Sequence, residues 1–412
     1  MDRTAGNTLA AAACRKSCRA QQSSVDDCRK QHATRCVASQ SSLRTVWLPS
    51  FILNTRGSVG RREGVWAWRP FAARSILRAD RGGAQVAHSL QRSVSAIARR
   101  HSVDSVLIVG VDGVVGANCA AILSATHSVM GVARQELHSI FCPMEVVGDV
   151  TADIATGVVR KSVPSQVIYC GTAAESCWNS SAACADELNV VEAWLRAATE
   201  AAASFTLVSS DAVFTGPWMF HAENSQSYCK SPEAQKLRQI EEFVLQHRPD
   251  ALVVRTHAFG WEPTTAAGRA TAWMETVLHS LQSAAIPELD FVRHASPILA
   301  TDLALVIAKA WSAGLSGIYH IAGAERANPV QFAQRLAHQF GLGFAPTPYR
   351  ESLSDPAQGF GRGETSLQTR KIRRELSLGL PMLSEGIQRL FEQSINGHRA
   401  RLQGTAVTAR VA

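Results

Sequence analysis

From Ser105 onward, short apolar runs alternate with longer segments whose apolar residues recur every three or four positions. The runs at 106–109, 128–134, 144–149, 166–170, 205–210 and 251–255 are apolar on both faces, the pattern of strands covered by helices on either side. Helices are predicted over 117–124, over a segment that places Leu188, Val191, Leu195 and Ala198 on one face, and over 232–246. Strands separated by helices in this way specify a parallel, doubly wound α/β sheet, because parallel neighbours need a crossover and a helix supplies it. Past Thr256 the alternation loosens into helices at 272–281, 301–311, 329–340 and 383–395 around one strand at 317–321. We read 104–262 as the sheet domain, 263–395 as a smaller C-terminal lobe over the carboxyl edge of the sheet, and 396–412 as a tail.

Residues 1–103 have a different texture. Neither period is sustained, and the longest apolar stretch, 46–53, is interrupted by Pro49 and too short to span a membrane. The first hundred residues carry 18 Lys and Arg against 5 Asp and Glu, whereas the rest of the chain carries 24 against 29. The net charge of +8 therefore belongs to the N-terminal quarter, and a mildly acidic body argues against nucleic-acid binding. We expect a disordered extension or a start-site artefact here, rather than the organelle-targeting segment whose Arg-rich, acid-poor composition it shares. Four of the ten cysteines, Cys14, Cys18, Cys28 and Cys36, lie in this segment without the spacing or the histidines of a zinc site. The other six sit in apolar runs and read as small buried thiols of a cytoplasmic protein, so no metal is expected.

Candidate chemistry concentrates at the end of the first strand. Gly110-Val-Asp-Gly113-Val114-Val115-Gly116 sets glycines at three-residue spacing between an apolar strand and a helix. Such a turn lets a pyrophosphate approach the backbone and face the positive end of the helix, which makes these glycines, Val114 and Val115 candidate dinucleotide-binding residues. An acidic residue closing the second strand would bond a ribose 2′-hydroxyl; Arg134 stands there instead, suited to a 2′-phosphate, which favours NADP over NAD. Asp149, with Val150 behind it, is placed to reach an adenine amino group, and Cys170 and Gly171 at the end of the fourth strand complete the candidate lining. A ligand-free turn, a solvated arginine and a loop-capping aspartate are the plainer readings of the same residues.

With these motifs in place, residues 105–393 resemble the extended short-chain dehydrogenase/reductase superfamily and, within it, the dTDP-4-dehydrorhamnose reductase-like family of sugar-nucleotide-binding proteins. The resemblance is carried by the glycine turn, Gly148-Asp-Val150, Leu188-Asn-Val190, Val208-Ser-Ser-Asp-Ala-Val-Phe-Thr-Gly216, Val254-Arg-Thr256, Ala295-Ser-Pro-Ile-Leu-Ala-Thr-Asp-Leu-Ala304 and Gly317-Ile-Tyr-His320. It implies a Rossmann sheet, a nicotinamide cofactor, a nucleotide-sugar between the lobes and a possible homodimer. It also implies hydride transfer to a keto carbon whose oxygen is held by a Ser or Thr and protonated by a Tyr. A Lys four residues after that Tyr holds the cofactor ribose and shifts the phenol, which at a pKa of about 10 is otherwise a poor acid–base group.

Ser210 matches the Ser/Thr and Lys236 the lysine, but Pro232 stands where the tyrosine belongs. None of the four tyrosines, Tyr169, Tyr228, Tyr319 and Tyr349, has a lysine at i+4. Tyr228, in the loop before Pro232, and ordered water are the remaining proton sources. Two functions stay open. One is NADPH-dependent reduction of a nucleotide-activated 4-keto sugar, as in dTDP-rhamnose biosynthesis. The other is a non-catalytic regulatory or scaffold relative that binds NADP or a nucleotide-sugar.

Overall fold

Seven strands lie parallel in one sheet: β1 (Ser105–Val109), β2 (Ser128–Ala133), β3 (Met144–Val146), β4 (Gln166–Tyr169), β5 (Ser204–Ser210), β6 (Leu252–Thr256) and β9 (Gly317–His320). β7 (Ala258–Phe259) and β8 (Ile298–Leu299) form a separate parallel pair. The structure, a computed structural model, describes residues 104–138, 141–178, 187–264, 272–285, 289, 291–345 and 359–405. The basic segment 1–103, with its four cysteines, lies outside the described residues.

The sheet order is β3-β2-β1-β4-β5-β6-β9. The chain winds outward from β1 to β3, then returns to place β4 on the other side of β1, so the strand order reverses between β1 and β4. Ligands of open α/β sheets bind in the crevice at such a reversal. Alternate residues of each strand serve opposite layers. Val106, Ile108, Ile168, Val208 and Val254 join the core beneath α1 (Val114–Leu123) and α6 (Ala300–Ser312). Leu107, Val109, Val167, Leu207 and Val253 join the core beneath α2 (Ala152–Ser162), α3 (Leu188–Glu200) and α4 (Pro232–His247). This two-sided burial is why the strands read as unbroken apolar runs.

Three elements depart from the sequence reading, each for a physical reason. Helix α2 was not expected, because it buries only Ala155, Val158 and Val159 while Ile154 faces solvent. Its start is nevertheless written in Thr151, whose hydroxyl accepts the Ile154 N–H at 3.3 Å. The strand placed in the C-terminal lobe is β9, which pairs with β6 as the seventh strand of the main sheet, with α6 packed closely on α1. Residues 300–320 thus belong to the doubly wound layer.

The remaining C-terminal elements are α5 (Trp273–Gln282), α7 (Pro329–Gln339), α8 (Arg370–Glu375), α9 (Leu383–Ile395) and α10 (His398–Gln403). Helix α7 opens with a reciprocal cap: Asn328 Oδ1 accepts the Gln331 N–H at 2.8 Å and Gln331 Oε1 accepts the Asn328 N–H at 3.1 Å. The expected tail is tied down as far as α10, where Leu402 is buried and His398 Nε2 sits 2.9 Å from Asn118 Oδ1. Asn118 in turn donates to the Val114 and Trp261 carbonyls, so one buried amide joins α1, the segment after β7 and α10. Among the described residues, no helix is long and apolar enough to cross a membrane. Cys119, Cys142, Cys170, Cys177 and Cys229 are buried and unpaired, as expected of the thiols in apolar runs.

Candidate active site

Two of the three glycines in the turn after β1 are required by the protein itself. Gly110 has φ +87°, and a Cβ on it would overlap the Cys170 carbonyl oxygen. A Cβ on Gly116 would overlap the Gly110 carbonyl, which locks the start of α1 against the turn. Gly113 is different. Its φ of −101° suits any residue, and a Cβ there would meet no neighbouring atom closer than 3.7 Å. The missing side chain leaves open the N-terminal end of α1, where first-turn N–H groups lack intrahelical partners and the helix dipole is positive. This end is the candidate seat for a pyrophosphate. The amides that would hold it belong to Val114, Val115 and Gly116.

Asp112, inside the same turn, went unremarked in the sequence. It is buried and accepts the Arg134 backbone N–H at 3.3 Å and the Arg134 Nε–H at 3.1 Å. Its second oxygen, Oδ1, is buried without a hydrogen-bond partner. Arg134 therefore stands at the end of β2 as expected, but its guanidinium is already paired while still half exposed.

Asp149 is exposed and Val150 half-buried. The Cys170 thiol is turned into the core, where a hydrogen bond with Cys119 and burial hold it well above its ordinary pKa, so only its backbone can face a ligand. A Cβ on Gly171 would overlap the Glu187 carboxylate, which accepts the Thr172 N–H at 2.9 Å. Burial holds the neighbouring Glu175 carboxyl above the usual range, with Arg134 opposing the shift.

The three expected catalytic residues stand on three different segments. Ser210 ends β5 and is buried; its hydroxyl donates to Asp211 Oδ1 at 3.3 Å and accepts the Ala212 N–H at 3.1 Å, capping the 3-10 turn at Asp211–Val213. Tyr228 stacks on Phe214 with centroids 5.7 Å apart, under the Arg238 guanidinium at 4.4 Å. Lys236 lies on the exposed side of α4, whose buried face is formed by Ala234, Leu237, Ile240, Glu241 and Val244.

Another set of side chains converges at the carboxyl ends of β4, β5 and β6. Asp211, directly after β5, has Oδ2 3.1 Å from His257 Nδ1, and His257 lies between β6 and β7. On the other side of the imidazole, Nε2 is 2.9 Å from the hydroxyl of Ser176, on the segment that follows β4. Asp211 also accepts Thr365 Oγ1 at 2.6 Å and the Cys177 thiol at 3.5 Å. Burial, reinforced by the Asp211 charge, pushes the Cys177 thiol well up. The Trp178 ring covers His257 at 4.4 Å between centroids. Asp211 and His257 are buried, whereas Ser176 is half-buried and lines a cleft with Val114, Glu175, Phe259, Gly260 and Trp273.

Cys177, Asp211 and His257 bring a sulfur, an oxygen and a nitrogen within 4.8 Å of one another, a donor set that suits a divalent ion such as zinc. Hydrogen bonds among these groups already engage all three. Only Asp211 was visible in the sequence, inside the Ser-Ser-Asp stretch; Ser176 and His257 belong to no motif quoted for the family. A second buried pair lies nearby. Arg255 on β6 meets Glu241 on α4 at 2.6, 3.0 and 3.1 Å, and Ser209 donates to the same carboxylate.

A parallel sheet with a glycine turn opening the helix after its first strand, and a polar cluster across the crevice, defines a Rossmann-type protein of the extended short-chain dehydrogenase/reductase class. Within that class, residues 104–395 match the model of the RmlD substrate binding domain, and the chain belongs to that family. No curated protein matches the sequence. Among solved structures, the fold is similar to dTDP-4-dehydrorhamnose reductase from Bacillus anthracis in complex with NADP, at 16% identity and TM-score 0.58 over 71% of this chain and 100% of that one. It is also similar to a hypothetical dTDP-4-dehydrorhamnose reductase from Sulfolobus tokodaii, at 21% identity and TM-score 0.52 over 68% and 98% of the two chains. A third similar structure is UDP-glucose 4-epimerase from Thermotoga maritima with UDP-glucose, at 13% identity and TM-score 0.56 over 71% and 99%.

Proposed function

We propose that the protein is a nicotinamide-dependent oxidoreductase that reduces a keto group of a nucleotide-activated sugar, with NADPH as its preferred cofactor. The observation that carries this reading is Gly113: neither its φ nor its protein neighbours require a glycine, and its bare face opens on the amides at the start of α1. Family membership and the NADP in the similar Bacillus anthracis reductase support it. Bound there, the reduced nicotinamide supplies hydride. The first-turn amides of Val114, Val115 and Gly116 would hold the pyrophosphate, Asp149 and Val150 would flank the adenine, and Lys236 would reach the ribose. Arg134 would meet the 2′-phosphate with its outer edge, against the competing pull of Asp112. Ser210, buried against Asp211, is assigned to shaping the site rather than to holding the substrate oxygen.

Calorimetric titration of the full chain with NADPH and with NADH tests the cofactor reading, followed by an assay of NADPH oxidation with a dTDP-4-keto-6-deoxysugar. NADPH binding that exceeds NADH binding, with the preference lost in Arg134→Ala, is the expected result. Binding of neither nucleotide would overturn the proposal. Tight binding without turnover on any nucleotide-keto-sugar would instead select the regulatory relative.

A further inference from the structure

The chain contains no Tyr-x-x-x-Lys, yet a carbonyl that accepts hydride must also receive a proton. We propose that Ser176, backed by His257 and Asp211, delivers that proton, an assignment that rests on the oxidoreductase reading above. Ser176 is the only hydroxyl among the described residues that line the cleft. That cleft is bounded by Val114 at the start of the glycine-turn helix and by Phe259 and Gly260 beyond β6. Ser210, the family-matched hydroxyl, does not line it.

The chain of contacts behind Ser176 is continuous. Ser176 Oγ is 2.9 Å from His257 Nε2, and His257 Nδ1 is 3.1 Å from Asp211 Oδ2. Asp211 is held in place by the hydroxyl of the adjacent Ser210 and, from two other segments, by the Thr365 hydroxyl and the Cys177 thiol. An ionised carboxylate only accepts hydrogen bonds, so His257 places its Nδ1–H on Asp211 and leaves Nε2 to exchange a proton with Ser176. The Trp178 backbone N–H donates to Ser176 Oγ at 3.3 Å, which favours negative charge on that oxygen as its proton departs.

The proton balance closes within these residues. Reduction begins with His257 doubly protonated beside ionised Asp211. As the substrate carbonyl carbon accepts hydride, its π pair moves onto oxygen. The Ser176 O–H bond breaks, a new O–H bond forms on the substrate, and the Nε2 proton of His257 passes to Ser176. Serine ends neutral, His257 ends neutral with its Nδ1–H on Asp211, and one proton from water restores the start. Ser176 is the catalytic residue in this scheme; His257 is its proton reservoir and Asp211 a positioning residue.

Reduction by this route draws its proton from the His257 imidazole. The titratable and charged groups around that imidazole are Asp211 after β5 and Cys177 after β4, with Arg293 acting on the same thiol. Glu175, also in the cleft, is the competing acid.

The test compares Ser176→Ala, His257→Gln and Glu175→Gln in the full chain, with two readouts. The first is kcat for NADPH-dependent reduction of a dTDP-4-keto-6-deoxysugar, alongside NADPH affinity. Ser176→Ala and His257→Gln are expected to lower kcat by about 10²- to 10⁴-fold and leave NADPH affinity within about threefold. The second needs no cofactor: the far-downfield proton resonance of His257 Nδ1–H in the free protein, expected to vanish in Asp211→Asn and to shift in Ser176→Ala.

A wild-type kcat in Ser176→Ala or His257→Gln, or the same loss of kcat in Glu175→Gln alone, overturns the relay. A resonance indifferent to Ser176→Ala overturns it as well, whatever the cofactor experiment shows. Absence of nicotinamide binding in the wild-type protein is the separate result that removes the oxidoreductase reading.

Discussion

Replacing Glu241 by Gln removes the only carboxylate that, among the described residues, pairs with the Arg255 guanidinium, itself 3% exposed. The substitution keeps the side-chain shape, so the loss is one of charge. Arg255 cannot shed its proton, and its other neighbours, the Phe214 ring 4.9 Å from its central carbon and the Tyr228 hydroxyl, carry no full negative charge to replace the carboxylate. Breaking a buried pair by removing one partner costs about 3–5 kcal/mol, so Glu241→Gln is expected to lie in that range. Arg255→Met should cost less at neutral pH, because the stranded Glu241 can take up a proton and keep its bond from Ser209. Its cost should shrink further as pH falls. The double variant Glu241→Leu with Arg255→Met, apolar on both sides, is expected within about 1 kcal/mol of wild type. Urea unfolding followed by tryptophan fluorescence measures all three, since Trp194 and Trp261 are fully buried. A Glu241→Gln cost below about 1 kcal/mol, or a double variant as unstable as the two singles combined, would refute the argument that uncompensated charge dominates.

Three further outcomes follow from the same structure. Burial lowers the His320 pKa from 6.5 to about 3, and the nearby Arg255 charge adds to the shift. Between those values the unfolded chain binds a proton that the native chain does not, so stability falls as pH drops from about 6.5 towards about 3. His320→Gln should flatten the stability–pH slope in urea titrations, and an unchanged slope would sink the assignment. Gly113→Ala should keep wild-type thermal stability yet weaken NADPH binding at least about tenfold, whereas Gly116→Ala should destabilise the fold because its Cβ meets the Gly110 carbonyl. Comparable melting temperatures for the two variants would contradict this division of roles. Asp112→Asn removes a negative charge from the phosphate turn and releases Arg134, and NADPH should then bind up to about tenfold more tightly in calorimetry. Weaker binding would mean that Asp112 is needed to aim the arginine.

What could be read from the sequence is what local chemistry dictates. Strand β1 and the glycine turn were legible because two-sided burial imposes an unbroken apolar run and Gly110 needs a positive φ. Helix α2 was not, because three small buried side chains leave too faint a stripe for periodicity to register. The membership of β9 in the main sheet was hidden because a four-residue strand says nothing about which neighbour it pairs with.

The site divides along the same line. A missing tyrosine is a local fact, visible as Pro232 at the head of α4. Its proposed replacement is not local: Ser176 and His257 are 81 residues apart, and His257 and Asp211 are 46 apart. No spacing rule joins them. They meet because β4, β5 and β6 are adjacent and parallel, which brings the segment after each strand to the same edge. A parallel sheet therefore supplies several chain segments from which a proton donor can be built once the helical position is lost. Ser176→Ala decides whether this chain has used one of them.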